Sequence, residues 1–539
     1  MKFIVDNGKV YGIKSSKGEK IFLFNEIVIV ELIHNVDENE YKARIEYEFA
    51  GEKITMIIPR SRYQTKRNLL ALQDNGVDVT EETSKYMVQY LKQQEENVKV
   101  KKVHSKPGYC KEKNSFRLYK SIPQFSTYDG PLDLEPKGKS DEWMGMYRKY
   151  IKDAPELQFM IVIGLSSLLV GMIGQDISME NPIVHIYGDS STGKTTGVQL
   201  ALSTCGNPNL RGNGLMKNFN GTNNSFMFEL RSNNGLPICF DEISMSICED
   251  FSQLIYAFAN GKDKGRLGKQ IGKGYIKLEE GTWNTVIIST GEYDILERVK
   301  ENDGLKVRVF SIGGVKWTGS ADISNKIKRC VTKNYGFLGI EFAELLLKIG
   351  SEELIDIFQV IYEKLLEDLK SDKIYDDFTH RRANYYSILI LVCKLINTNL
   401  GFEINIDQIT SMIKDIESTS ISQRNVGIQS YNKFLELIAK NRRKFPLVKS
   451  KKNRGNAIKD DIWGYVLQED YQVEIFPEEF KKQCKLLNFQ SSNVILSKWK
   501  GMGKLDHESD RNDRQRNGTR VYVMKVDDEF MKDFIKNKE

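Results

Sequence analysis

Residues 188–195, Gly-Asp-Ser-Ser-Thr-Gly-Lys-Thr, constrain this 539-residue chain more than any other feature. They fit G-x-x-x-x-G-K-[ST], in the strand–loop–helix context that pattern needs. The apolar run PIVHIY at 182–187 suits a buried parallel strand, and a helical stretch from Gly197 to Ser203 follows the loop. Glycines let such a P-loop wrap phosphate while backbone N–H groups converge at a helix N-terminus. ATP is therefore expected at Gly188, Asp189, Ser190, Ser191, Thr192, Gly193, Lys194, Thr195 and Thr196. Lys194 is suited to neutralise the β- and γ-phosphates, and Thr195 to put its hydroxyl on Mg²⁺.

A partner motif lies at Leu236-Pro237-Ile238-Cys239-Phe240-Asp241-Glu242, an apolar strand ending in two acids. Asp241 is expected to hold Mg²⁺ through water, and Glu242 to orient or deprotonate the attacking water. The second acid favours hydrolysis over mere binding. A third strand, TVIIS at 285–289, runs into Thr290-Gly291-Glu292. In the order of parts found in AAA+ ATPases this strand ends in a polar sensor, here Thr290, with Ser289 as its rival. Arg308 opens the next apolar stretch and is the candidate arginine finger, with Arg298 as rival. Arg381 and Arg382 begin a later helix, where a second sensor arginine would sit.

The predicted architecture is multidomain α/β. A small α+β N-terminal domain spans 1–105, a connector 106–140 and an AAA+ P-loop ATPase core 141–320. A helical lid follows at 321–428 and a C-terminal winged helix at 429–539. In the first domain, 21–30, 41–49 and 53–58 alternate as strands do, and 79–95 reads as a helix. Leu157 to Gly174 is free of charge and just long enough to span a membrane. Gln158, Ser166 and Ser167 dilute it, and a strand and P-loop follow closely, so a helix buried against the sheet is expected, with no membrane partner. The start MKFIVDNGKV breaks too early for a signal peptide. Seven scattered cysteines without C-x-x-C spacing suit a reducing, cytoplasmic setting and no zinc ribbon.

Charge distribution points to nucleic acid. The net charge is +6, yet Tyr431 to Glu539 holds 24 basic and 17 acidic residues, so the last fifth carries the excess. Within it, two short helices (476–487 and 491–500) and a basic turn before a strand at 520–524 suggest a winged helix able to enter a major groove. Between the acid pair and the sensor strand, residues 261–281 place Gly265, Gly268, Gly272 and Gly274 among Arg266, Lys269, Lys273 and Lys277. Such a glycine-cornered hairpin would project into a ring's pore, where Arg266, Lys269 and Lys273 could hold the phosphates of single-stranded DNA.

The stretches IYGDSSTGKTT, FNGTNNSFMFELRSNNGLPICFDEI, IYAFANGKDKGRLGK and VIISTGE resemble one AAA+ helicase family. It is long labelled a domain of unknown function, and is carried by staphylococcal cassette chromosomes, genomic islands and phages. The resemblance covers roughly residues 100 to 525. It implies a hexameric, self-loading replicative helicase related to the minichromosome-maintenance helicases. It further implies ATPase roles for Lys194, Thr195, Asp241, Glu242, Thr290 and Arg308, and hairpin roles for Lys269 and Lys273. The N-terminal domain is less recognisable and could receive a replication partner. Two other readings share these motifs: an origin-opening ATPase switch that does not travel, and a protein remodeller, which the Gly/Lys hairpin disfavours.

Overall fold

The computed structural model describes residues 2–13, 19–243, 251–263, 267–271, 274–277, 281–299, 303–424, 426–451, 462–487, 489, 491–509 and 511–536; over 267–271 and 274–277 it describes backbone only. At the N-terminus, strands Lys2–Asp6, Lys9–Ile13 and Lys20–Asn25 form an antiparallel meander. A five-stranded sheet follows in the order Thr127–Tyr128, Val100–His104, Ile27–Asn35, Glu40–Phe49, Glu52–Pro59. Alternation sets its two faces: Ala43, Ile45 and Tyr47 are buried between the more exposed Lys42, Arg44 and Glu46. Helix Ser84–Glu95 supplies Met87, Tyr90 and Leu91 to the same core. Residues 127–128 of the expected connector thus extend the N-terminal sheet.

The central sheet is parallel throughout, and we number its strands β1 (Ile183–Tyr187), β2 (Met216–Asn218), β3 (Ile238–Asp241), β4 (Ile287–Gly291) and β5 (Val309–Ile312). Their spatial order is β2-β3-β4-β1-β5, so one strand separates the P-loop strand from the acid strand. Parallel strands need both faces covered, which explains their apolar runs. Helix α2 (Lys194–Ser203) packs on β3 and β4, and α1 (Pro155–Ile173) packs along α2. Among the described residues α1 is the helix long and apolar enough to cross a membrane, and it is almost wholly buried in the protein's own core. Its polar groups are satisfied there: Gln158 Nε2 donates to the Glu403 carbonyl at 3.1 Å, and Ser166 Oγ meets Tyr385 Oη at 3.2 Å. Gly164 allows the contact with α2, since a Cβ there would lie 2.3 Å from the Ala201 carbonyl oxygen.

Helices Ala321–Val331, Leu338–Ile349 and Ser351–Ser371 follow, then α3 (Thr379–Asn399) and α4 (Ile406–Arg424). One hydrophobic core runs from Tyr109 through the sheet to Ile416, so the sheet and the helical region are packed as a unit. A separate core, Val426 to Phe534, centres on Trp499, whose ring lies 5.3 Å from that of Phe434 and 5.5 Å from that of Phe480. It joins helices Val426–Lys440, Pro477–Leu486 and Ser492–Gly501 to a hairpin of Arg514–Arg516 and Thr519–Lys525.

Contacts from the N-terminal sheet and from the segment that follows it tie this region to the rest. Asp37 accepts from the Ser105 and Lys106 amides, each at 2.8 Å, and pairs with the Arg117 guanidinium, with both side chains nearly buried. Gly108, at φ +101°, lies against Asn234, where a Cβ would fall 1.9 Å from the carbonyl oxygen. Asp37→Ala would leave Arg117 buried without its counter-charge, so we expect a loss of about 3–5 kcal/mol, read by chemical denaturation.

Candidate functional site

The loop after β1 takes its shape from three residues at positive φ: Gly188 (138°), Ser191 (68°) and Gly193 (90°). Gly193 caps α2 in the left-handed region, and a Cβ there would come within 2.6 Å of Thr318 Oγ1. Lys194, first residue of α2, folds its ammonium back onto the loop, donating to the carbonyls of Gly188 (2.6 Å) and Asp189 (2.8 Å). Thr192 Oγ1 donates to the Asp189 carbonyl at 3.0 Å, and its own carbonyl accepts from the Trp317 amide at 2.9 Å. Thr195 is half-buried in the first helical turn. The Thr196 hydroxyl is buried against Ser324 Oγ at 2.6 Å, so its backbone is the part that can serve the loop.

The two acids are organised by the neighbouring strand. Thr290 Oγ1 donates to Asp241 Oδ1 at 2.6 Å and accepts from the Glu242 amide at 3.0 Å. Asp241 is nearly buried at the end of β3, whereas Glu242, at φ +61°, turns outward and is exposed. Side chains alternate along a strand, so the rival Ser289 points to the opposite face. There it meets His185 Nδ1 at 2.8 Å, while His185 Nε2 lies 2.9 Å from the Tyr293 carbonyl. Full burial pushes the His185 pKa down, which fits a neutral ring donating from Nε2 and accepting from Ser289. Sequence reasoning missed Glu292, which accepts from Ser190 Oγ at 3.2 Å and so bridges the end of β4 to the loop after β1. Its place directly after Thr290-Gly291 was the available signal.

The arginines separate by position. Arg308 precedes β5 and therefore lies at the opposite end of the parallel sheet from the P-loop. Its Nη2 donates to Glu180 Oε1 at 2.7 Å, Nη1 to the Gly304 carbonyl, and its guanidinium lies 4.9 Å from the Tyr256 ring centre. Arg381 reaches the same Glu180 oxygen at 3.5 Å. Arg298 stacks over Tyr293 at 4.4 Å in the turn after β4. Arg382 is excluded as a sensor because its side chain is fully buried. It donates to Glu417 Oε2 at 2.7 Å, to the Val307 and Val309 carbonyls at 3.2 and 2.7 Å, and to Tyr386 Oη at 2.8 Å.

The expected hairpin is present in the backbone: Leu267–Ile271 pairs antiparallel with Gly274–Lys277, Ile271 opposite Gly274. Lys269 sits on its first strand, while Arg266 and Lys273 lie outside the described residues. The root is fixed by a Lys262–Thr282 bridge and by Arg231, whose Nε donates to Asp263 at 3.0 Å. In the C-terminal hairpin Arg514 and Arg516 both pair with Asp506, at 2.7 and 3.2 Å.

The model of a domain of unknown function, DUF927, matches residues 5–273, and that of the Cch helix turn helix domain matches residues 425–529. The C-terminal segment carries a Cch-type helix-turn-helix domain. A solved structure titled "SCCmec type IV Cch - active helicase" matches with a TM-score of 0.78 at 24% identity, over 99% of this chain and 98% of that one. The chain shares that helicase's fold along its length. No curated protein matches.

Glu417 also takes the Arg424 guanidinium at 2.7 Å. Burial alone would raise its pKa, but Arg382 and Arg424 beside it hold the carboxyl below its usual value. The folded-state value is thus depressed, so this stabilisation is present above the ordinary carboxylate range and lost as pH falls through the folded value. We expect Arg382→Ala to cost about 3–5 kcal/mol at neutral pH, with the difference from the unaltered chain shrinking in acid; denaturant titrations at several pH values check both.

Proposed function

We propose that this chain is an AAA+ ATPase that unwinds duplex DNA during replication of a mobile genetic element, as a hexameric ring with ATP held between subunits. The observation that carries the reading is the Thr290 hydroxyl joining Asp241 and Glu242 one strand away from the P-loop. Lys194 and the amides of 188–196 bind the phosphates, and the Lys194 ammonium exchanges its two loop carbonyls for phosphate oxygens. The donor set suits a hard divalent cation: Thr195 and, through water, Asp241 would hold Mg²⁺, which neutralises phosphate charge when bound. Glu242, turned outward by its positive φ, orients the attacking water, and Thr290 keeps both acids in register.

Arg308 lies across the sheet from its own P-loop, level with Pro182 and so about 20 Å from Gly188 at roughly 3.3 Å per strand residue. It therefore serves a neighbour's γ-phosphate, which favours a head-to-tail ring over a self-contained site. Arg266, Lys269 and Lys273 hold single-stranded DNA in the pore, and the winged helix of 429–539 takes the duplex. The N-terminal domain remains for a replication partner. The full-length likeness to a protein titled an active helicase supports a motor over a static switch.

The test is ATP-dependent separation of a forked duplex. We expect separation by the unaltered chain, none by Lys194→Ala, and lost separation with retained basal ATPase for Lys273→Ala. ATP hydrolysis without strand separation on any fork would instead support an origin switch or a protein remodeller. Thr290→Val should keep ATP binding while lowering turnover by about 100-fold, measured by phosphate release, because it releases both acids.

A further inference from the structure

At the end of the sheet remote from the P-loop, three segments converge: the loop before β1, the turn before β5 and the start of α3. Glu180 Oε1 accepts from Arg308 Nη2 at 2.7 Å and lies 3.5 Å from Arg381 Nη2, so one carboxylate faces two guanidiniums. The Arg308 side chain is only 12% exposed, whereas that of Arg381 is 44% exposed. Arg382 bonds the carbonyls on either side of Arg308, at Val307 and Val309, which fixes its backbone but not its side chain. Side-chain direction is left to Glu180, the Gly304 carbonyl and the Tyr256 ring. Without Glu180 the two cations, a few ångströms apart, would repel and separate. With it, the group keeps a net positive charge, suited to an anion.

We propose that Glu180 is a positioning residue of the ATPase cycle, holding Arg308 and Arg381 side by side so that both face the γ-phosphate bound by a neighbouring copy of this chain. The inference rests on the ATPase reading above. A flexible guanidinium would have to find the phosphate anew in each cycle, whereas a clamped pair starts near the reactive geometry. Glu180 never touches nucleotide in this scheme; it acts through the arginines. Nucleotide affinity stays with the P-loop at the other end of the sheet.

The test compares Glu180→Gln, which keeps shape and removes charge, with Glu180→Ala. Both should lower kcat for ATP hydrolysis about tenfold or more. KM should change by no more than about twofold, with the thermal unfolding midpoint within a few degrees of the unaltered chain. Mixing Glu180→Ala with Lys194→Ala subunits should restore turnover above either alone, because some interfaces then join an intact P-loop to correctly held arginines. Turnover by both Glu180 variants equal to the unaltered chain overturns the inference alone, as does a loss that mixing fails to rescue. No turnover by the unaltered chain overturns the ATPase reading and this inference with it.

Discussion

The parallel order β2-β3-β4-β1-β5 is the constraint on which the other features depend. With β4 inserted between β1 and β3, a single hydroxyl at its end bonds the Asp241 carboxylate and the Glu242 amide while the neighbouring β1 turns into the loop at 188–193. Because β5 runs parallel to β1, Arg308, which precedes it, starts at the end remote from the loop at 188–193. A purely parallel sheet must be covered on both faces. The apolar α1, buried almost throughout, is part of that cover, and Gly164 lets it lie directly on α2.

The buried Arg382–Glu417–Arg424 group holds the segment that leads into β5 as well as contributing to stability. A buried ion pair is weak evidence for stability by itself, because desolvation offsets much of the attraction. Here Arg382 also caps the carbonyls of Val307 and Val309, which would otherwise be buried acceptors at the entry to β5. Glu417, bonded by two arginines and Tyr386 Oη (2.8 Å), ties α4 to α3 at the same point. The segment carrying Arg308 is thereby held by the helical region, and one core unites that region with the sheet.

Other junctions follow the same logic of charge or backbone closing a gap between elements. Asp37 collects two amides and a guanidinium where the N-terminal sheet meets the core. Arg231 holds Asp263 at the hairpin root, linking the segment between β2 and β3 to the strands at 267–277.

The sequence by itself determined whatever depends on local backbone: the glycine-shaped loop between β1 and α2, the apolar strands, the hairpin at 267–277 and the C-terminal helix pair. Each is set by dihedral preference or by a period of two or 3.6 residues, which adjacent residues reveal. Only the tertiary structure separated Thr290 from Ser289, because either could face the acids until the strand's neighbours were known. Arg381 and Arg382 differ by one helical step of about 100°, enough to leave one exposed beside Glu180 and bury the other on Glu417. Thr196 turned to Ser324 and Glu180 emerged as a shared acceptor for the same reason. Such partners lie far apart in the chain, and their meeting depends on how the sheet and helices pack.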